Sequence, residues 1–194
     1  MKPETKQALT GALYEALFVV LGVVLALGAN EWQKSQADRR HARAALGSIL
    51  EELRANHSNV KSSLEYHQGV LAAITEAGNE PPTLSAFERG FVNPAQLYRN
   101  AWEAAVETDA ANNMPYASLL LLSKLYADQD RYDSQQSMVG QIIYARLYEG
   151  GTRAVLENPR GLASLVSTFV YRETQLLASY DQVFSALDEG GSPS

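Results

Sequence analysis

The first pattern along the chain is a long gap in its polar positions. From Ala8 to Ala29 the sequence reads ALTGALYEALFVVLGVVLALGA, and Glu15 is the single ionisable side chain in it. About 20 mostly apolar residues suffice for a helix to cross a hydrocarbon core of ~30 Å. Residues 8–32 are therefore read as one transmembrane helix, with Trp32 at the headgroup level where amphipathic rings are favoured. The apolar residues surround this segment and form no stripe, which argues against a core helix of a soluble protein. It has no basic face, which argues against a helix lying in the interface. Lys2 and Lys6 ahead of an apolar run also fit a cleavable signal peptide. Glu15, the poor cleavage site at Ala26-Leu27-Gly28 and the helical pattern that continues past Trp32 all argue against cleavage.

Beyond Trp32 the pattern changes to alternating steps of four and three. Leu46, Leu50, Leu53, His57, Val60, Leu64, His67, Leu71 and Ile74 follow the spacing of a coiled-coil seam. Counted backwards through Arg43, Arg39 and Gln36, the register reaches Trp32 and then Glu15. No proline falls between Glu31 and Ala77, so anchor and seam are expected to share one rod of about 105 Å at 1.5 Å per residue. Gly78-Asn79-Glu80-Pro81-Pro82 breaks it. Thr83–Val92 reads as an irregular connector whose Phe87 and Phe91 pack back on the bundle. Asn93-Pro94 predicts a cap and first turn for a helix running to Glu107. Pro115 opens a further helix over Tyr116–Tyr148, Gly150-Gly151 stops it, and a short helix near Thr152–Glu157 leads to a last one over Leu162–Leu187.

No segment alternates with period two. The expected fold is all-α: an N-terminal transmembrane helix continuing into a long helix, with an antiparallel bundle over residues 33–187. Residues 1–7 and 188–194 are expected as a polar and a flexible tail.

Within the span, Glu15, Phe18, Gly22, Leu25, Ala29 and Trp32 share one helical stripe, and Gly22 and Ala26 form a small-residue pair beside it. Small residues let two backbones approach closely, and an acidic group in an apolar span faces protein or water. This face is expected to meet another transmembrane helix, giving a homo-oligomer or a membrane-protein partner. Lys34, Arg39, Arg40 and Arg43 outnumber Lys2 and Lys6, which places the large domain on the cytoplasmic side.

Composition narrows the chemistry. A net charge of −6 with no dense basic patch disfavours nucleic acid as a partner. The absence of cysteine removes disulfides, thiolate catalysis and cysteine-bound zinc. His57 and His67 lie ten residues apart, about 15 Å along one helix and too far to share a metal; they read as polar residues at imperfect seam positions. Glu103 and Glu107 read as a solvated helix face. Asp128, Asp130 and Asp133 lack the glycine and distal glutamate of a calcium loop. With no nucleophile–base pair, phosphate loop or ligand spacing, neither an enzyme nor a cofactor is expected.

The run Glu15…Gly22-Val23-x-x-Ala26-Leu27-x-x-Asn30-x-Trp32 resembles a widespread family of uncharacterised single-pass bacterial membrane proteins, with a Glu and a Gly in the span and Asn-x-Trp at its exit. Ala101-Trp102-Glu103 and Met114–Tyr126 are similar to that family's Trp helix and the Leu/Tyr-rich helix after it. The resemblance implies a bacterial inner-membrane protein and supplies no catalytic residues. Two functions follow as expectations. One is a membrane-anchored interaction or scaffold module, oligomeric or accessory to a membrane complex. The other is a single-pass sensor whose bundle binds a ligand and signals through the long helix.

Overall fold

The computed structural model describes residues 3–190, and side chains over 17–188. Among the described residues the chain is helical without strands: α1 spans Pro3–Ala77, α2 Asn100–Glu107, α3 Tyr116–Leu156 and α4 Pro159–Gly190. Short 3-10 turns occupy Leu84–Phe87 and Ala111–Asn113.

The 75 residues of α1 form one unbroken helix, so the apolar segment and the seam lie on a single rod. It begins at Pro3, inside the stretch expected as a polar tail. It ends where Gly78, at φ +67°, donates its N–H to the Ile74 and Thr75 carbonyls, a left-handed stop that glycine adopts without strain.

The covered stripe of α1 is offset from the expected seam. Leu53, Val60, His67 and Ile74 are buried as read, but Ile49, Asn56, Ser63 and Val70 complete the stripe. Leu46, Leu50, His57, Leu64 and Leu71 flank it, half-buried. Both sets satisfy a three–four alternation, and they differ by a rotation of the helix about its axis. Polar Asn56 and Ser63 won the central positions because the neighbouring segment offers them backbone partners.

On α4 the buried positions are Leu162, Val166, Phe169, Glu173, Leu176, Tyr180 and Val183, again in steps of four and three. The two helices run in opposite directions, His67 meeting Glu173 and His57 facing Asp181 at 3.4 Å. α3 also runs opposite to α4: Gln129 donates to Tyr180 at 3.0 Å and Tyr132 to Glu173 at 2.8 Å. Fully buried Ile49, Leu53, Leu122, Leu125 and Phe169 fill the interior, each worth about 1.5–3 kcal/mol relative to exposure. The core begins at Ala42, so residues 33–41 form a mostly exposed neck.

Two element boundaries differ from expectation. The expected helix from Asn93 starts only at Asn100, and residues 88–99 instead form an irregular strap. The last helix starts at Pro159, where Asn158 accepts the Gly161 N–H at 2.9 Å, and continues through Gly190 into the expected tail. The Gly150-Gly151 break holds: Gly151 sits at φ +65° and Gly150, at φ −151° and ψ 19°, also leaves the helical region, so the helix axis turns at this pair.

Candidate functional site

The strap is held by a ladder of polar side chains spaced along one face of α1. Glu52 accepts the Ala101 N–H at 2.8 Å, at the start of α2, where a carboxylate suits the exposed N–H groups. Asn56 donates to the Tyr98 carbonyl at 2.7 Å and accepts the Tyr98 N–H at 2.8 Å. Asn59 donates to the Gln96 carbonyl at 2.9 Å, and Ser63 to the Asn93 carbonyl at 2.9 Å. Tyr66 donates to the Gly90 carbonyl. His67 Nε2 accepts the Asn93 N–H at 3.0 Å.

This ladder explains why the Asn93-Pro94 start signal fails. From Glu52 to His67 the helix rises about 22 Å at 1.5 Å per residue. Residues 93–101 must span the same distance. As a helix they would cover only about 12 Å; near-extended, at about 3 Å per residue, they reach. Side-chain partners then replace the backbone hydrogen bonds that a helix would have supplied.

At the distal end of the ladder the network enters the core. The Asn93 N–H can only donate, so His67 Nε2 keeps its lone pair and the ring proton sits on Nδ1. Nδ1–H donates to the Glu173 carboxylate at 2.9–3.0 Å. The same carboxylate accepts the Tyr132 hydroxyl, whose oxygen accepts the Ala95 N–H at 2.8 Å. His67 and Glu173 are fully buried, and His67 stacks on Phe169 at 4.9 Å. Burial first, and then the adjacent Glu173 charge, pushes the Tyr132 pKa well above the ordinary tyrosine value. Tyr126, stacked on Trp102 at 5.1 Å and donating to Glu52 at 2.6 Å, is raised in the same way by burial and by Glu52. Burial likewise raises Tyr180.

Histidine, glutamate and tyrosine together are an acid–base set by chemical type. Here every member is committed to an internal partner and none is exposed, so the set positions the strap and offers no place for a reactant. Glu173 is the group that sequence reading missed. Its signal was available: on α4 it falls within the three–four alternation of Phe169, Leu176 and Tyr180, a charge on an apolar stripe.

The remaining expected positions are dispersed. Phe18, Gly22, Leu25, Ala26 and Ala29 are exposed, and so are Asn30 and Trp32; among the described residues nothing beyond the local helix backbone lies within 4 Å of a Cβ built at Gly22. The Glu15 side chain lies outside the described residues. Asp130 pairs with Arg99, and Asp128 with Arg131. Among the described residues no group of three or more His, Asp or Glu is placed to hold a metal.

Concavities flank α3 on more than one side. A cleft of about 640 Å³ separates strap residues 89–94 from residues 136–147 of α3. A groove of about 280 Å³ between α3 and α4 is lined by Lys124, Arg131 and Arg172 together with Asp128. No protein-family model matches this chain, and neither do the curated proteins or the solved structures compared with it.

Proposed function

We propose that the chain is a single-pass bacterial inner-membrane protein that serves as an anchored interaction module, assembling through its apolar helix and carrying an antiparallel helical bundle on the cytoplasmic side. One observation carries this reading. Residues 17–29 are exposed on every side, Phe18 at 70% and Leu25 at 64%, whereas the apolar stripe of α1 beyond Ala42 is covered by α2, α4 and the strap of the same chain. An uncovered apolar surface around a whole helix is unfavourable in water at about 25 cal/mol per Å² and calls for lipid or another helix. The bundle seam is already occupied, so oligomerisation through Leu46–Ile74 loses its motive. The span keeps its own, because Gly22, Ala26 and Ala29 leave room for close backbone approach.

The absence of cysteine makes the test direct. Single cysteines placed at each position from 17 to 29 are oxidised in native membranes. Cross-linking that peaks at Phe18, Gly22, Leu25 and Ala29 supports assembly through this face. Uniformly absent cross-links, with no second protein attached, would remove it.

A second reading, ligand sensing, is favoured by the cleft beside the strap. The strap is bonded to α1 at several levels, so a ligand that shifted it would act on the helix that enters the membrane.

A further inference from the structure

The cleft between the strap and α3 has a feature that folding does not require. Gly140 lies inside α3 with a helical backbone, and a Cβ built on it meets nothing within 4 Å. A glycine inside a helix costs roughly 0.5–1 kcal/mol relative to alanine. Neither a positive φ nor a crowded neighbour calls for it, and it leaves the wall of the cleft open. A volume of about 640 Å³ is within the usual range for small-molecule sites.

The lining defines the occupant. Phe91, Val92, Ile143 and Leu147 supply an apolar floor. No carboxylate lines the cleft, and its only charged residue is Arg89. Among the described residues Arg89 has no carboxylate within ion-pair distance. Its guanidinium rests 5.5 Å from the Tyr66 ring and donates to Ser62 at 3.3 Å, a long bond that it can exchange for a charged acceptor. We infer that the cleft binds a small amphiphilic carboxylate, its apolar body over Phe91 and Ile143 beside Gly140 and its acid group at Arg89. Ser62 lies about 45 Å along α1 from Trp32, beyond the reach of a bilayer lipid, so the ligand comes from the aqueous side. This rests on the ligand-sensing reading and names its ligand class, and it is independent of what the membrane helix meets.

The test uses the detergent-solubilised full chain, with one cysteine introduced in the cleft by Gln141→Cys or, as a control, on exposed α3 surface by Ser134→Cys. Each is equilibrated with two mixed-disulfide probes that share a phenyl-bearing body and end in a carboxylate or an amine. Intact mass then gives the reducing-thiol concentration that releases half of the probe. The carboxylate probe is expected to withstand about tenfold more thiol at Gln141→Cys than at Ser134→Cys, and the amine probe to gain nothing. Adding Gly140→Leu should abolish the advantage without lowering the melting temperature, and adding Arg89→Gln should make the probes equivalent. Equal retention at the two sites, equal retention of acid and amine in the Gln141→Cys protein, or an advantage that survives Gly140→Leu would each overturn the inference. Retention reports occupancy alone. Hydrogen exchange of the strap with and without the carboxylate probe tests sensing separately, so a site that binds without shifting the strap is distinguished from no site.

Discussion

Replacing Tyr132 by Phe removes a single oxygen from the core and so isolates the bond that ties the strap to α4. The ring remains, with its edge contact to Phe169 at 6.1 Å, so no cavity opens. What is lost is the donor to Glu173 at 2.8 Å and the acceptor for the Ala95 N–H at 2.8 Å. A hydrogen bond to a charged acceptor contributes about 1.5–3 kcal/mol, and a buried N–H without a partner costs about 1–3 kcal/mol. Allowing for local relaxation, the expected destabilisation is about 3 kcal/mol, concentrated on the strap. At about 1.4 kcal/mol per factor of ten, exchange of the Ala95 amide should accelerate by roughly 100-fold. Amides of α1 far from the network, near Ala42, should change much less. His67→Leu should release the Asn93 amide in the same way and cost about 3–5 kcal/mol, because Glu173 loses a donor and the Asn93 N–H its acceptor. The two substitutions share Glu173, so their combined effect should fall short of the sum by about 1–2 kcal/mol. A cost below about 0.5 kcal/mol for Tyr132→Phe, with Ala95 exchange unchanged, would mean that the hydroxyl does not bridge strap and carboxylate.

Three further outcomes follow from the same structure. The raised pKa values of Tyr126, Tyr132 and Tyr180 mean that the fold holds their protons after the unfolded chain has released them. Their contribution to stability is complete below the unfolded value near pH 10 and declines above it, by about 4 kcal/mol for each further pH unit with all three, so the melting temperature should drop steeply between pH 10 and 11. Asn56→Ala should cost about 2–4 kcal/mol, since it leaves both backbone groups of Tyr98 unpaired, and limited proteolysis should then cut within 94–99. Gly140→Ala should raise stability by about 0.5–1 kcal/mol in denaturant titration, because the site is helical and open.

The helical elements were legible in the sequence wherever one apolar period ran unbroken. The rod from the apolar segment to Ala77, the Gly150-Gly151 break and the opening of α3 after Pro115 all follow from local patterns that no tertiary partner opposes. The strap was not legible, because Asn93-Pro94 is a sound helix start and its failure depends on Glu52, Asn56, Ser63 and His67, about 26 to 49 residues away in sequence. The rotation of the α1 stripe has the same origin. An asparagine and a serine outcompete His57 and Leu64 for the centre once the extended strap lies opposite them. Read singly, His67 was a polar residue at a flawed seam position. Only the folded chain gives it a partner on each ring nitrogen.

Whether the exposed apolar helix is an assembly surface, as proposed, is read from the mass and composition of the complex extracted from native membranes in mild detergent. Wild type is run beside the double substitution Gly22→Ile, Ala26→Ile, which enlarges the contact face without adding charge. The expected result is a defined oligomer, or a second protein at fixed stoichiometry, in the wild type and a monomer in the variant, with the same bundle melting temperature in both. A lone monomer from both proteins, or an assembly untouched by the substitutions, would contradict it.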